Sequence, residues 1–88
     1  MKAILDQNMT FTERFLAKEI AKAIPNGGNI VILKLVERLG FGSRASAVGA
    51  LRKLAMAGIV AVRSMGQKGT YVKVLDKKAW QELAEEED

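Results

Sequence analysis

Apolar residues recur at helical spacing from the eleventh position onward. Phe11, Phe15, Leu16, Ile20, Ala23 and Ile24 form one stripe, with Arg14, Lys18, Glu19 and Lys22 largely on the other side. Thr10 and Glu13 stand three apart just ahead of this run, the spacing of a capping box. Pro25-Asn26-Gly27-Gly28 ends the helix, because the residue before a proline is pushed out of the helical region. Asn29-Ile30-Val31 begins a short strand, and residues 32–39 then make a helix of about two turns closed by Gly40. The β-branched residues at 30–32 leave the boundary between strand and helix open. After Gly40-Phe41-Gly42, Ser43 is a good N-cap for a third helix running to about Ala57, with Gly58 as its stop signal.

Past Gly58 the period changes. Residues 59–64 and 70–75 are rich in β-branched and aromatic residues and flank Gly66-Gln67-Lys68-Gly69, so they read as a hairpin. Asp76 caps a final helix through Trp80 and Leu83, which frays into the acidic residues 85–88. Trp80 and Leu83 form a lid on the hairpin or, less readily, a dimer contact; the Phe11 stripe is core. The order predicts an α+β fold: a small winged helix-turn-helix domain with a three-helix core, a β-hairpin wing and a C-terminal helix. It occupies the 88 residues as one domain, with its core over about 10–84.

At 100° per residue, Val48, Leu51 and Ala55 share one stripe of the third helix, with Ala47 and Leu54 beside it, and this is the expected core face. The opposite face holds Ala45, Ser46, Gly49, Ala50 and Lys53, with Arg52 at its margin; Arg44 swings outward from the first turn. Small side chains there let a helix sit deep in a major groove, and a helix start at Ser43 can receive a phosphate oxygen. Base reading on this face falls to Arg44, Ser46 and Arg52. In the hairpin, Lys68 at the tip reaches backbone phosphates or a minor groove, and Ser64, Thr70 and Tyr71 donate to phosphate oxygens. The same features also suit a solvated alanine-rich surface and a sheet edge charged against aggregation.

Charge favours the first of these readings. Between Glu37 and Asp76 there is no acidic residue, while Arg38, Arg44, Arg52, Lys53, Arg63, Lys68 and Lys73 fall in that stretch. Residues 1–75 hold twelve Lys/Arg against four Asp/Glu and residues 76–88 hold two against six, so a basic body precedes an acidic tail. An unopposed run of cations attracts a polyanion over about a Debye length before any contact forms. The chain lacks cysteine and histidine, which excludes disulfides, the usual zinc sites, histidine general bases and the common catalytic triads. The serines have no histidine partner, and Gly66-Gln67-Lys68-Gly69-Thr70 lacks the glycine spacing and following helix of a phosphate-binding loop. No enzyme activity, cofactor or metal is expected. With no membrane-length apolar run and no signal-peptide pattern, the chain reads as cytoplasmic.

Ala50-Leu51-Arg52-Lys53-Leu54, Ala57-Gly58-Ile59-Val60 and the wing Arg63-Ser64-Met65-Gly66-Gln67-Lys68-Gly69-Thr70-Tyr71-Val72-Lys73-Val74-Leu75 resemble the C-terminal winged helix-turn-helix domain of the CodY family. Those proteins are global transcriptional repressors of Gram-positive bacteria. The resemblance is close over about residues 43–75 and looser over 10–84. It implies sequence-specific binding of double-stranded DNA, with Ser43, Arg44, Ser46, Arg52 and Lys53 on the recognition helix. The wing would contribute Arg63, Ser64, Lys68 and Thr70. It also implies a possible homodimer, since such repressors commonly read two half-sites. The family's effector-sensing domain lies outside these residues, so a response to branched-chain amino acids or GTP is not carried over. The turn before Ser43 is one residue longer than the family pattern, and Gly49 replaces a longer polar residue. The rival expectation is a winged helix that docks its basic face on an acidic protein.

Overall fold

The computed structural model describes residues 9–66 and 69–86. Helix α1 (Phe11–Ala23) starts from the anticipated capping box. The Thr10 hydroxyl accepts the Glu13 N–H at 3.1 Å, and the Glu13 carboxylate accepts the Thr10 N–H at 2.9 Å. Strand β1 (Gly28–Ile30) leads directly into α2 (Ile32–Leu39), which Gly40 closes in the left-handed conformation. Ser43 caps α3 (Arg44–Met56), its Oγ accepting the Ser46 N–H at 3.1 Å. Strands β2 (Val60–Ser64) and β3 (Thr70–Val74) form the hairpin, and Asp76 caps α4 (Lys77–Glu85) by accepting the Ala79 N–H at 3.1 Å. The architecture is α+β, a small winged helix-turn-helix.

The sheet is antiparallel in the order β1-β3-β2, and β1 pairs with Thr70–Val72, the half of β3 nearer the hairpin's connection. Gly69 makes that pairing possible. It has φ 107°, and a Cβ there would stand 2.6 Å from the Ile30 carbonyl oxygen. Along β2 only Val60 is buried, and along β3 only Val72, so the hairpin projects from the core beyond that level. Leu16, Ala17, Ile20 and Ala21 of α1 meet Ala47, Ala50, Leu51 and Leu54 of α3 in one core with Ile59, Val60, Val72, Trp80 and Leu83.

Three readings of side-chain placement are corrected. Phe11 is exposed, not core; it and Phe15 meet Phe41 of the helix-to-helix turn edge-on, with ring centres 6.4 and 5.1 Å apart. Lys18, expected on the solvent side, is buried, with its ammonium 5.7 Å from the Phe15 ring centre. Trp80 and Leu83 are buried in the core that also holds Val60 and Val72, with α4 packed against α1, and so offer no free surface for a dimer contact. The indole N–H donates to the Ile24 carbonyl at 3.0 Å, one of the groups that the end of α1 leaves without a helical partner.

Candidate nucleic-acid interface

The short turn between α2 and α3 fixes where the third helix points. Gly42 has φ 86°, and a Cβ on it would meet Leu16 Cδ1 at 2.8 Å, so the turn seats directly on α1. From there Ala47, Ala50, Leu51 and Leu54, at i, i+3, i+4 and i+7, become the buried stripe of α3. This rotates the helix from the sequence expectation. Val48, expected in the core, is exposed, and Ala50, expected on the open face, is fully buried. The small side chains serve close packing of α3 on α1. Gly49 serves the same contact, since a Cβ there would lie 2.7 Å from the Glu13 carboxylate.

Lys53 belongs to that inner side as well. Its ammonium donates to Glu13 Oε1 at 2.6 Å, and the pair is partly buried. The Lys53 hydrogen bond, followed by that from the Thr10 N–H, holds the Glu13 carboxyl below the usual glutamate range. Arg14 is likewise paired, with Glu86 at the end of α4. Of the acidic tail, Glu87 and Asp88 lie outside the described residues.

The outer side of α3 is different. Arg44, Val48 and Arg52 stand one helical turn apart on one stripe, all exposed. Neither arginine makes an ion pair or hydrogen bond among the described residues. The stripe forms one wall of a concavity of about 510 Å³ between α3 and the hairpin. Ser64 and Thr70, opposite each other in the β2–β3 register, line the other wall with Val62. Leu33 of α2 also lines it.

The nine expected contact residues therefore separate. Arg44, Arg52, Ser64 and Thr70 gather around the concavity. Ser43 and Ser46 stand at the start of α3 with their hydroxyl oxygens 3.1 Å apart, and the Ser43 oxygen is already engaged in capping. Arg63 pairs in register with Tyr71; strand alternation puts it on the other face of the hairpin from Ser64 and Val62. Lys53 is drawn to α1. Lys68 lies outside the described residues. Val48, Leu33 and Val62 line the same concavity and were not among the nine. A signal for Val48 was present, because Arg44 and Arg52 bracket it at i−4 and i+4, so a face that exposes both arginines must expose it.

Three helices, a tight glycine-containing turn and a projecting hairpin around a basic concavity define a winged helix-turn-helix domain. Residues 27–87 match the CodY helix-turn-helix domain, and the chain belongs to that family. Similar proteins include the global transcriptional regulator CodY of Bacillus mycoides (strain KBAB4), 51% identical over 57 residues, covering 65% of this chain and 22% of that protein. The global transcriptional regulator CodY of Lysinibacillus sphaericus (strain C3-41) is 48% identical over 60 residues, covering 68% of this chain and 23% of that protein. The chain thus spans less than a quarter of the length of these relatives. Among the described residues no helix is long and apolar enough to cross a membrane.

Proposed function

We propose that this domain binds duplex DNA sequence-specifically, as the DNA-binding part of a transcriptional regulator of the repressor kind. The outer stripe of α3 enters the major groove. There Arg44 and Arg52 meet base edges or phosphates, and the backbone N–H groups and Ser46 at the helix start face a phosphate. The hairpin lies on the adjacent backbone through Ser64 and Thr70, while Arg63 on its other face adds positive charge; Lys68, expected from the sequence to contact phosphates, lies outside the described residues. The single observation that carries this reading is the contrast in charge across α3. Arg44 and Arg52 are exposed and unpaired among the described residues beside the hairpin, while Lys53 on the inner side is neutralised by Glu13. Cations left open in this way can displace the counterions condensed on a phosphate backbone, the main source of protein–DNA affinity.

Selection of bound sequences from a random duplex library at physiological salt tests the proposal. Enrichment of one motif is expected, and a two-fold symmetric motif would mean that two copies read adjacent half-sites. Failure to enrich any sequence would contradict sequence-specific readout. Retention of the domain on acidic proteins in preference to DNA would point to a protein-docking role.

A further inference from the structure

A surface that meets only a polyanion needs cations and hydrogen-bond donors, yet the concavity also exposes aliphatic side chains. Leu33 is 55% exposed, Val48 39% and Val62 38%. They come from α2, α3 and β2 and converge on one basin. Val48 lies at its α3 wall, one turn from Arg44 on one side and from Arg52 on the other. The stripe from Arg44 to Arg52 is eight residues of helix, about 12 Å. Removing such apolar surface from water is favourable, but only a partner that brings apolar surface of its own between two anionic rims fits here. Duplex DNA meets both requirements. Phosphates border the major groove, and the one apolar group that base edges present within it is the C5-methyl of thymine.

We infer that Val48, with Leu33 and Val62 beside it, is a specificity-determining contact that takes a thymine C5-methyl group in the major groove. The inference rests on the DNA-binding reading and adds the base that the face selects. Arg44 and Arg52 hold the helix across the groove, and Val48 between them discriminates. Cytosine in the same place offers an amino group and no methyl, so the basin disfavours it.

The test uses the duplex obtained by selection, with its thymines replaced one at a time by deoxyuridine, which removes the methyl and keeps the pairing edge. At one position per bound domain, affinity falls roughly fourfold, the worth of one buried methylene-sized group. In Val48→Ala that loss shrinks to within measurement error, whereas Met56→Ala, exposed at the far end of α3 and outside the concavity, keeps it in full. Matching thermal midpoints confirm that both variants fold. The inference is overturned if no deoxyuridine position weakens binding, or if Val48→Ala remains as sensitive as the unaltered domain. Tight DNA binding with no methyl effect would overturn this inference alone. Absence of binding to every duplex would overturn the DNA reading together with it.

Discussion

The two long sides of α3 are made from the same kinds of residue and do opposite things. The inner side carries Ala47, Ala50, Gly49 and Lys53; the outer side carries Arg44, Ala45, Val48 and Arg52. On the inner side the small residues are buried or packed against α1, and the lysine is satisfied by a glutamate. On the outer side a branched aliphatic residue remains in water between two cations that have no partner among the described residues. The difference lies in what each side faces. Composition does not decide whether a helix face is core or interface; the nearest packed element does.

That contrast can be broken most forcefully with salt. If the five cations of the outer face and hairpin (Arg44, Arg52, Arg63, Lys68 and Lys73) contact phosphates, affinity should fall roughly 500-fold between 50 and 200 mM salt, measured by fluorescence anisotropy. The double variant Arg44→Ala/Arg52→Ala should flatten the log–log slope by about two, and Lys53→Ala should leave it unchanged. A slope that responds to Lys53 and ignores the arginines would exchange the two sides.

Packing supplies the next largest effect. Ala50 is fully buried against α1, so Ala50→Leu overfills the contact and should cost about 1–3 kcal/mol. Exposed Val48→Ala should change stability by less than about 0.5 kcal/mol. Urea denaturation distinguishes the sides directly, and a costly Val48→Ala with a neutral Ala50→Leu would restore the orientation that the hydrophobic pattern alone implies.

The smallest effect concerns the Lys53–Glu13 pair. Because Glu13 titrates lower when folded, its contribution is fully present above the ordinary glutamate pKa, about 4.3, and is lost as pH falls through the depressed value. Stability of the unaltered domain should therefore drop more steeply in that acid range than stability of Glu13→Gln. Parallel acid limbs in urea titrations would mean that the pair contributes nothing.

Most of the fold was legible because it is punctuated by local chemistry. Thr10 and Glu13, Gly40, Ser43, Gly58 and Asp76 mark element ends through backbone groups within a few residues of themselves. The rotation of α3 was not legible in the same way. Alanine, valine and leucine populate both candidate stripes, and alanine is small enough to be buried wherever a neighbour approaches. The fate of Lys53 depends on Glu13, forty residues away in sequence, which no local pattern announces. The same holds for Trp80, whose acceptor is the end of α1. The proposed interface was half legible: Arg44, Arg52, Ser64 and Thr70 line one concavity, while its apolar lining was hidden because a valine on a helix reads as core.

The central claim is that DNA meets the outer side of α3, and one pair of variants tests it most directly. Arg44→Ala and Lys53→Ala each remove one cation from the same helix, one from each side. Equilibrium affinity for the selected duplex at physiological salt should fall about tenfold or more for Arg44→Ala, as expected for loss of an arginine–base or arginine–phosphate contact, and stay within about twofold for Lys53→Ala. Equal losses, or a larger loss at Lys53 in a domain that still folds, would contradict the account.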